Sequence, residues 1–146
     1  MHGLQPEMDS ANTRVFISKA PGRSEFSHTV VPSRSLLFRY SALTFNAHAI
    51  HLDRSYARNV EGYDDVLVHG PLTLTMMLIM AQRQLSNLGK TVASIEYRNL
   101  APLIVEQPMK ICTKLKQAGN RGAWDIWVEG GQGGLAVRGT IETRER

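Results

Sequence analysis

VHGPLTLTMMLIMAQRQLSNLGKTVASIEYRNL, residues 68–100, holds the strongest helix signal in the chain and, directly after it, a strand. Pro71 suits a first-turn position, where its missing N–H is one that a helix start leaves unbonded anyway, and Gly89 suits a left-handed stop. Between them Leu72, Leu74, Met76, Met77, Leu78, Ile79 and Met80 make the helix apolar nearly all round. Such a helix must be covered by other structure. Its methionines read as core filling, not as cofactor contacts.

The cover follows in sequence. Runs at 91–100, 107–117, 123–130 and 134–143 read as strands, and the turn-rich AGNRG and GGQGG separate the last three into an antiparallel meander. Upstream, HTVV at 28–31 reads as a short strand. Pro32 and Ser33 then start a helix with Leu36, Leu37, Tyr40 and Leu43 at helical spacing, and a second helical segment runs from Leu52 to Asn59. One buried helix enclosed by a curved antiparallel sheet of about five strands is an α+β layout. Residues 1–24, rich in Gly, Pro, Ser and Asn, read as an extended N-terminal arm, and 25–146 as a single domain.

Composition excludes several classes of function. The 17 Lys and Arg against 13 Asp and Glu leave a charge of +4, scattered and without a basic cluster, so nucleic acid is not expected as a partner. The longest apolar run, Leu72 to Ala81, is broken by threonines and too short for a bilayer. The N-terminus has no apolar secretory segment, and Glu7 and Asp9 argue against a mitochondrial presequence. A single cysteine, Cys112, favours a reducing compartment and a strand-filling role. The expected location is cytoplasmic, with the mitochondrion left open. No phosphate loop or dinucleotide fingerprint occurs, so no nucleotide or redox cofactor is expected.

The first helix delivers the chain into NAHAIH, residues 46–51. This stretch could be a metal site, an acid/base site or a polar turn. His48, His51 and His69 could in principle ligate zinc. No thiolate or carboxylate completes a recognised motif, however, and the first two histidines sit in a turn, not on one rigid face. Acid/base chemistry is preferred, with no metal. Singly, each residue has an ordinary alternative: a satisfied histidine for His51, His48 or His69, a turn cap for Asn46, an outward strand residue for Arg98.

LLFRYSALTFNAHAIHLDRSYARNVEGY, VLVHGPL and EYRNLAPL together resemble the type 2 hydroxyacyl-thioester dehydratases, a branch of the MaoC-like (R)-specific enoyl-CoA hydratases that includes mesaconyl-CoA hydratase-like proteins. The resemblance runs from about Ser33 to about Leu103. It implies a hot-dog fold, the helix as filling and the sheet as wrap, and a hydro-lyase acting on an acyl thioester.

In that reading His51 matches the family histidine and moves the proton, because an imidazole takes both protonation states near neutral pH. Asn46 stands where the wider superfamily has aspartate and orients a water or hydroxyl, since an amide donates and accepts but is no base. Gly70, at the helix start, offers its N–H to the charge developing on the thioester oxygen. His48, His69, Tyr40 and Arg98 are the expected substrate contacts. A homodimer or higher multiple with the site near the interface is also implied.

Two departures bear on the substrate. Ala49 stands where many of the resembled proteins have arginine, and Asp64-Asp65 where they have proline and glycine. The lost arginine removes a contact to a charged group. A dehydratase, cyclase or isomerase acting on a biosynthetic intermediate not bound to CoA is therefore an alternative. A hot-dog thioesterase and a non-catalytic acyl- or partner-binding module are two more.

Overall fold

The computed structural model describes residues 20–116 and 122–146, so the expected arm over 1–24 lies mostly outside the described residues. Five antiparallel strands form one sheet: β1 (Phe26–Val30), β2 (Lys90–Asn99), β3 (Met109–Leu115), β4 (Ala123–Glu129) and β5 (Leu135–Glu145). Their order is β1-β3-β4-β5-β2, so the expected meander is the centre of the sheet and β1 and β2 are its edges. β1 stops at Val30, two residues before Pro32, which has no N–H to offer a ladder.

Helix α1 (Arg34–Thr44) starts where expected. The Ser33 hydroxyl accepts the Leu36 N–H at 3.2 Å, and the helix ends on Phe45 in the left-handed region at φ 53°. Helix α2 (Arg54–Asn59) is shorter than the expected Leu52–Asn59, because the Asp53 carboxylate caps the Tyr56 N–H at 3.0 Å and so fixes the start. Helix α3 (Gly70–Ser86) includes Pro71 in its first turn. It ends three residues before the expected stop at Gly89. The Leu85 and Ser86 carbonyls are taken by the N–H groups of Leu88 and Gly89 in tighter turns, and Gly89, at φ 71°, turns the chain into β2.

The sheet covers α3 along the side of Leu72, Thr73, Met77, Ala81 and Leu85. Leu72, Met77, Ala81 and Leu85 and the inward side chains of the sheet, among them Ile111, Ile126 and Ile141, form one core. Each large side chain buried there contributes roughly 1.5–3 kcal/mol. The cover is one-sided, contrary to the expectation from the all-round apolar sequence: Ile79 is 56% exposed. On the other face of the sheet Cys112, Trp127 and Leu135 form a second buried cluster with Ala20 against it. Burial pushes the Cys112 thiol pKa up, which leaves it a strand filler, as read from the sequence. No helix among the described residues is long and apolar enough to cross a membrane.

Candidate active site

The site is built on main-chain ties between three segments. Residues 66–68 pair with 103–105: the Val68 N–H donates to the Leu103 carbonyl at 2.8 Å and the Val105 N–H to the Val66 carbonyl at 3.1 Å. The same segment holds the NAHAIH turn, since the Leu67 N–H donates to the Ile50 carbonyl at 2.9 Å. Asp65 anchors it from the other end. Its carboxylate meets Arg34 at 2.6 Å, Arg54 at 3.2 Å and the Val66 N–H at 2.7 Å, tying the starts of α1 and α2 to the lead into α3. The hydrogen bond from Arg34 holds the Asp65 pKa below its usual value. Asp64-Asp65 thus has a structural use for its second acid.

His51 ends a single 3-10 turn, Ala49–His51, and is half-buried. Its Nδ1 lies 2.8 Å from the Leu67 carbonyl oxygen. A carbonyl can only accept, so Nδ1 carries the proton, and the neutral ring has its basic lone pair on Nε2. Burial lowers the His51 pKa; the Leu67 carbonyl works against that shift, and His48 adds to it. His51 therefore rests as a neutral base near pH 7.

Behind His51 lies His69, fully buried and stacked on it with centroids 3.8 Å apart and planes at 21°. His69 Nε2 is 2.7 Å from the buried Ser41 hydroxyl, while its Nδ1 has no partner among the described residues. Desolvation, followed by repulsion from His51, pushes the His69 pKa down to about 4. Tyr40 meets the His69 ring edge-on at 5.0 Å. These groups wall the site from within.

A cavity of about 360 Å³ opens beside this wall, lined among others by His51, Tyr63, Gly70, Thr73, Asn99 and Pro102. His51 and Gly70 thus share one cavity. Asn46, half-buried, does not line it; its Oδ1 accepts the His48 N–H at 3.2 Å and caps the turn. His48 is exposed, its Nδ1 accepts the Ile50 N–H at 3.1 Å, and its ring stands edge-on to His51 at 6.2 Å. Arg98 is exposed on β2 opposite Arg138 and away from the lining. Tyr40 and His69 also stand outside the lining. One ring nitrogen of each of the three histidines is directed to a separate partner, and the described residues contain no group of three His, Cys, Asp or Glu placed to hold a metal.

Sequence reasoning missed Ser41, Tyr63, Thr73 and Asn99. Asn99 was within reach: it stands in RNLAPL, at the end of the strand that runs back along α3 to the helix start. A sequence profile for hydroxyacyl-thioester dehydratase type 2 matches residues 5–105.

The chain belongs to that family.

A mesaconyl-C(4)-CoA hydratase of Chloroflexus aurantiacus is 37% identical over 122 residues, 84% of this chain and 41% of the relative. The mitochondrial hydroxyacyl-thioester dehydratase type 2 of Schizosaccharomyces pombe is 35% identical over 105 residues, 72% of this chain and 33% of the relative. The chain thus spans less than half the length of these curated relatives. Among solved structures, an (R)-hydratase from A. caviae involved in PHA biosynthesis superposes with a TM-score of 0.70 at 15% identity, covering 88% of this chain and 100% of that one. A MaoC-like dehydratase from Phytophthora capsici gives 0.72 at 15% identity, covering 89% of this chain and 45% of that one. The α+β sheet around a central helix is therefore the hot-dog fold expected from the sequence.

Proposed function

We propose that this hydroxyacyl-thioester dehydratase type 2 family member is a hydro-lyase that adds water to, or removes it from, the Cα–Cβ bond of an acyl thioester. The observation that carries this reading is the cavity shared by His51 and Gly70, with His51 Nδ1 fixed on the Leu67 carbonyl so that Nε2 is the base. In the hydration direction Nε2 takes a proton from water as the oxygen bonds to Cβ, and the π electrons move through Cα to the thioester oxygen. The Gly70 N–H, at a helix start with no carbonyl one turn back to bond, receives that charge. Collapse of the enolate takes the proton from His51 onto Cα. The reaction is redox-neutral and its atoms balance without a cofactor.

Asn46 supports this chemistry from outside the cavity, by shaping the turn that carries His51. The residues lining the cavity carry no charged side chain, which favours an uncharged acyl portion. One imidazole serving both carbons from one face makes the elimination syn, and the likeness to an (R)-hydratase adds the (R)-alcohol as its substrate. The buried Cys112 fits a reducing compartment such as the cytoplasm.

The active form is a homodimer or a higher multiple. β2, ten residues long, is an edge with Tyr97 exposed, and Leu100 is exposed just beyond it beside the cavity; sheet continuation through β2 would cover both and frame the site. The reaction is tested by incubating the protein with (R)- and (S)-3-hydroxybutyryl-CoA and detecting an 18 Da loss by mass. Loss from the (R) compound alone is expected. Turnover of only the (S) compound contradicts the expected (R) preference, and turnover of neither shifts the reading to a dehydratase or cyclase of a non-CoA intermediate.

A further inference from the structure

A donor beside Gly70 extends the site. A Cβ built on Gly70 would lie 3.2 Å from Asn99 Nδ2, so the Asn99 amide occupies the space next to the first turn of α3 that a side chain at position 70 would need. Both residues line the cavity that His51 lines. The conformation of Gly70 is open to any residue, its φ not being positive, so the close approach of the amide is what a side chain there would disturb.

Asn99 is held by the main chain, not by its side chain. It is the last residue of β2, opposite Val137 in β5, and the next N–H, that of Leu100, donates to the Ala136 carbonyl at 2.8 Å. The loop beyond is tied to the α3 lead-in by the Val68 bond to Leu103. Among the described residues the Asn99 side chain makes no hydrogen bond, so its two amide protons remain available at the cavity mouth.

We propose that the Asn99 side-chain amide is a second hydrogen-bond donor to the thioester oxygen, completing with the Gly70 N–H a two-donor cradle beside His51. This inference rests on the hydro-lyase reading above. A main-chain donor at Gly70 and an exposed side-chain donor carried on the fixed end of β2, beside one cavity, would stabilise the enolate more than the uncharged ground state, so their loss is read in kcat more than in KM. Gly70→Ala crowds the amide and is expected to cost less than its removal.

The test measures crotonyl-CoA hydration by the parent, Asn99→Ala and Asn99→Asp, with thermal unfolding as a control for folding. In parallel, the binding of acetoacetyl-CoA, whose enolate places charge on the same oxygen, is measured by calorimetry. Both variants should fold like the parent and lose about 10²–10³ in kcat with KM within a few-fold, and Asn99→Asp, which keeps the shape but offers no donor, should be the weaker. An Asn99→Ala variant within about threefold of the parent in kcat overturns the role of Asn99 and leaves the hydro-lyase reading standing. If the parent hydrates nothing yet binds acetoacetyl-CoA at least tenfold more tightly than Asn99→Ala does, the donor role stands and the reaction falls. Equal binding by inactive parent and variant overturns both.

Discussion

In the proposed reaction His51 moves the proton, because its two nitrogens are given different work. The Leu67 carbonyl fixes Nδ1 at 2.8 Å, and the stacked His69 fixes the ring plane. His51→Gln is expected to lose about 10²–10⁴ in rate, the usual worth of a general acid/base, without unfolding, since the half-buried turn contributes little to the core. Activity within a few-fold of the parent would remove the assignment. Asn46→Ala should lose less than His51→Gln, because the Asn46 Oδ1 bond to the His48 N–H shapes the turn without touching the cavity. Equal loss would mean that the two act as one unit. With the His51 pKa lowered by burial, kcat/KM for hydration should hold as pH drops through 6.5 and decline only below it. An acid limb centred above 6.5 would contradict the desolvated neutral base.

Helix α3 and strand β2 together place the two proposed donors, one supplying Gly70 and the other ending on Asn99. Gly139 of β5 lies opposite Tyr97, and a Cβ there would come 2.5 Å from the Glu96 carbonyl oxygen and 3.0 Å from Tyr97 Cβ. Gly139→Ala must therefore push β2 outward. The expected cost is about 1–3 kcal/mol in chemical denaturation, together with a drop in activity as Asn99 moves, and an unchanged midpoint would contradict the close approach. The elements themselves were legible in the sequence: capping at Ser33, the apolar run after Pro71, and glycine-rich turns between strands are local signals. The pairing of β2 with β5 at the far edge was not, because it joins segments whose proximity only the closed sheet creates. The same holds within the site. NAHAIH and HGPL could be read as two halves, but the Asp65 clamp on two arginines and the stack of His51 on His69, 18 residues apart, arise only after folding.

For the molecule as a whole, the buried histidine wall ties stability to pH. The folded His69 pKa of about 4 lies below the ordinary 6.5, so between those values the unfolded chain binds a proton that the folded chain does not. Stability should hold above 6.5, fall on acidification by at most ~1.4 kcal/mol per pH unit from this group, and level off below about 4. His69→Phe should flatten that slope in urea titrations at several pH values; an unchanged slope would show that His69 is not the group responsible. Light scattering at micromolar concentration should report a multiple of the 16.3 kDa chain, and a monomer mass would remove the framing of the cavity by a neighbouring copy. Hydration at a cavity shared by one imidazole and two amide donors remains the central claim, and crotonyl-CoA tests it most directly. Incubated with the parent protein and, side by side, with His51→Gln, it should gain 18 Da in the parent reaction alone; no gain with the parent, or an equal gain with both, would contradict the claim.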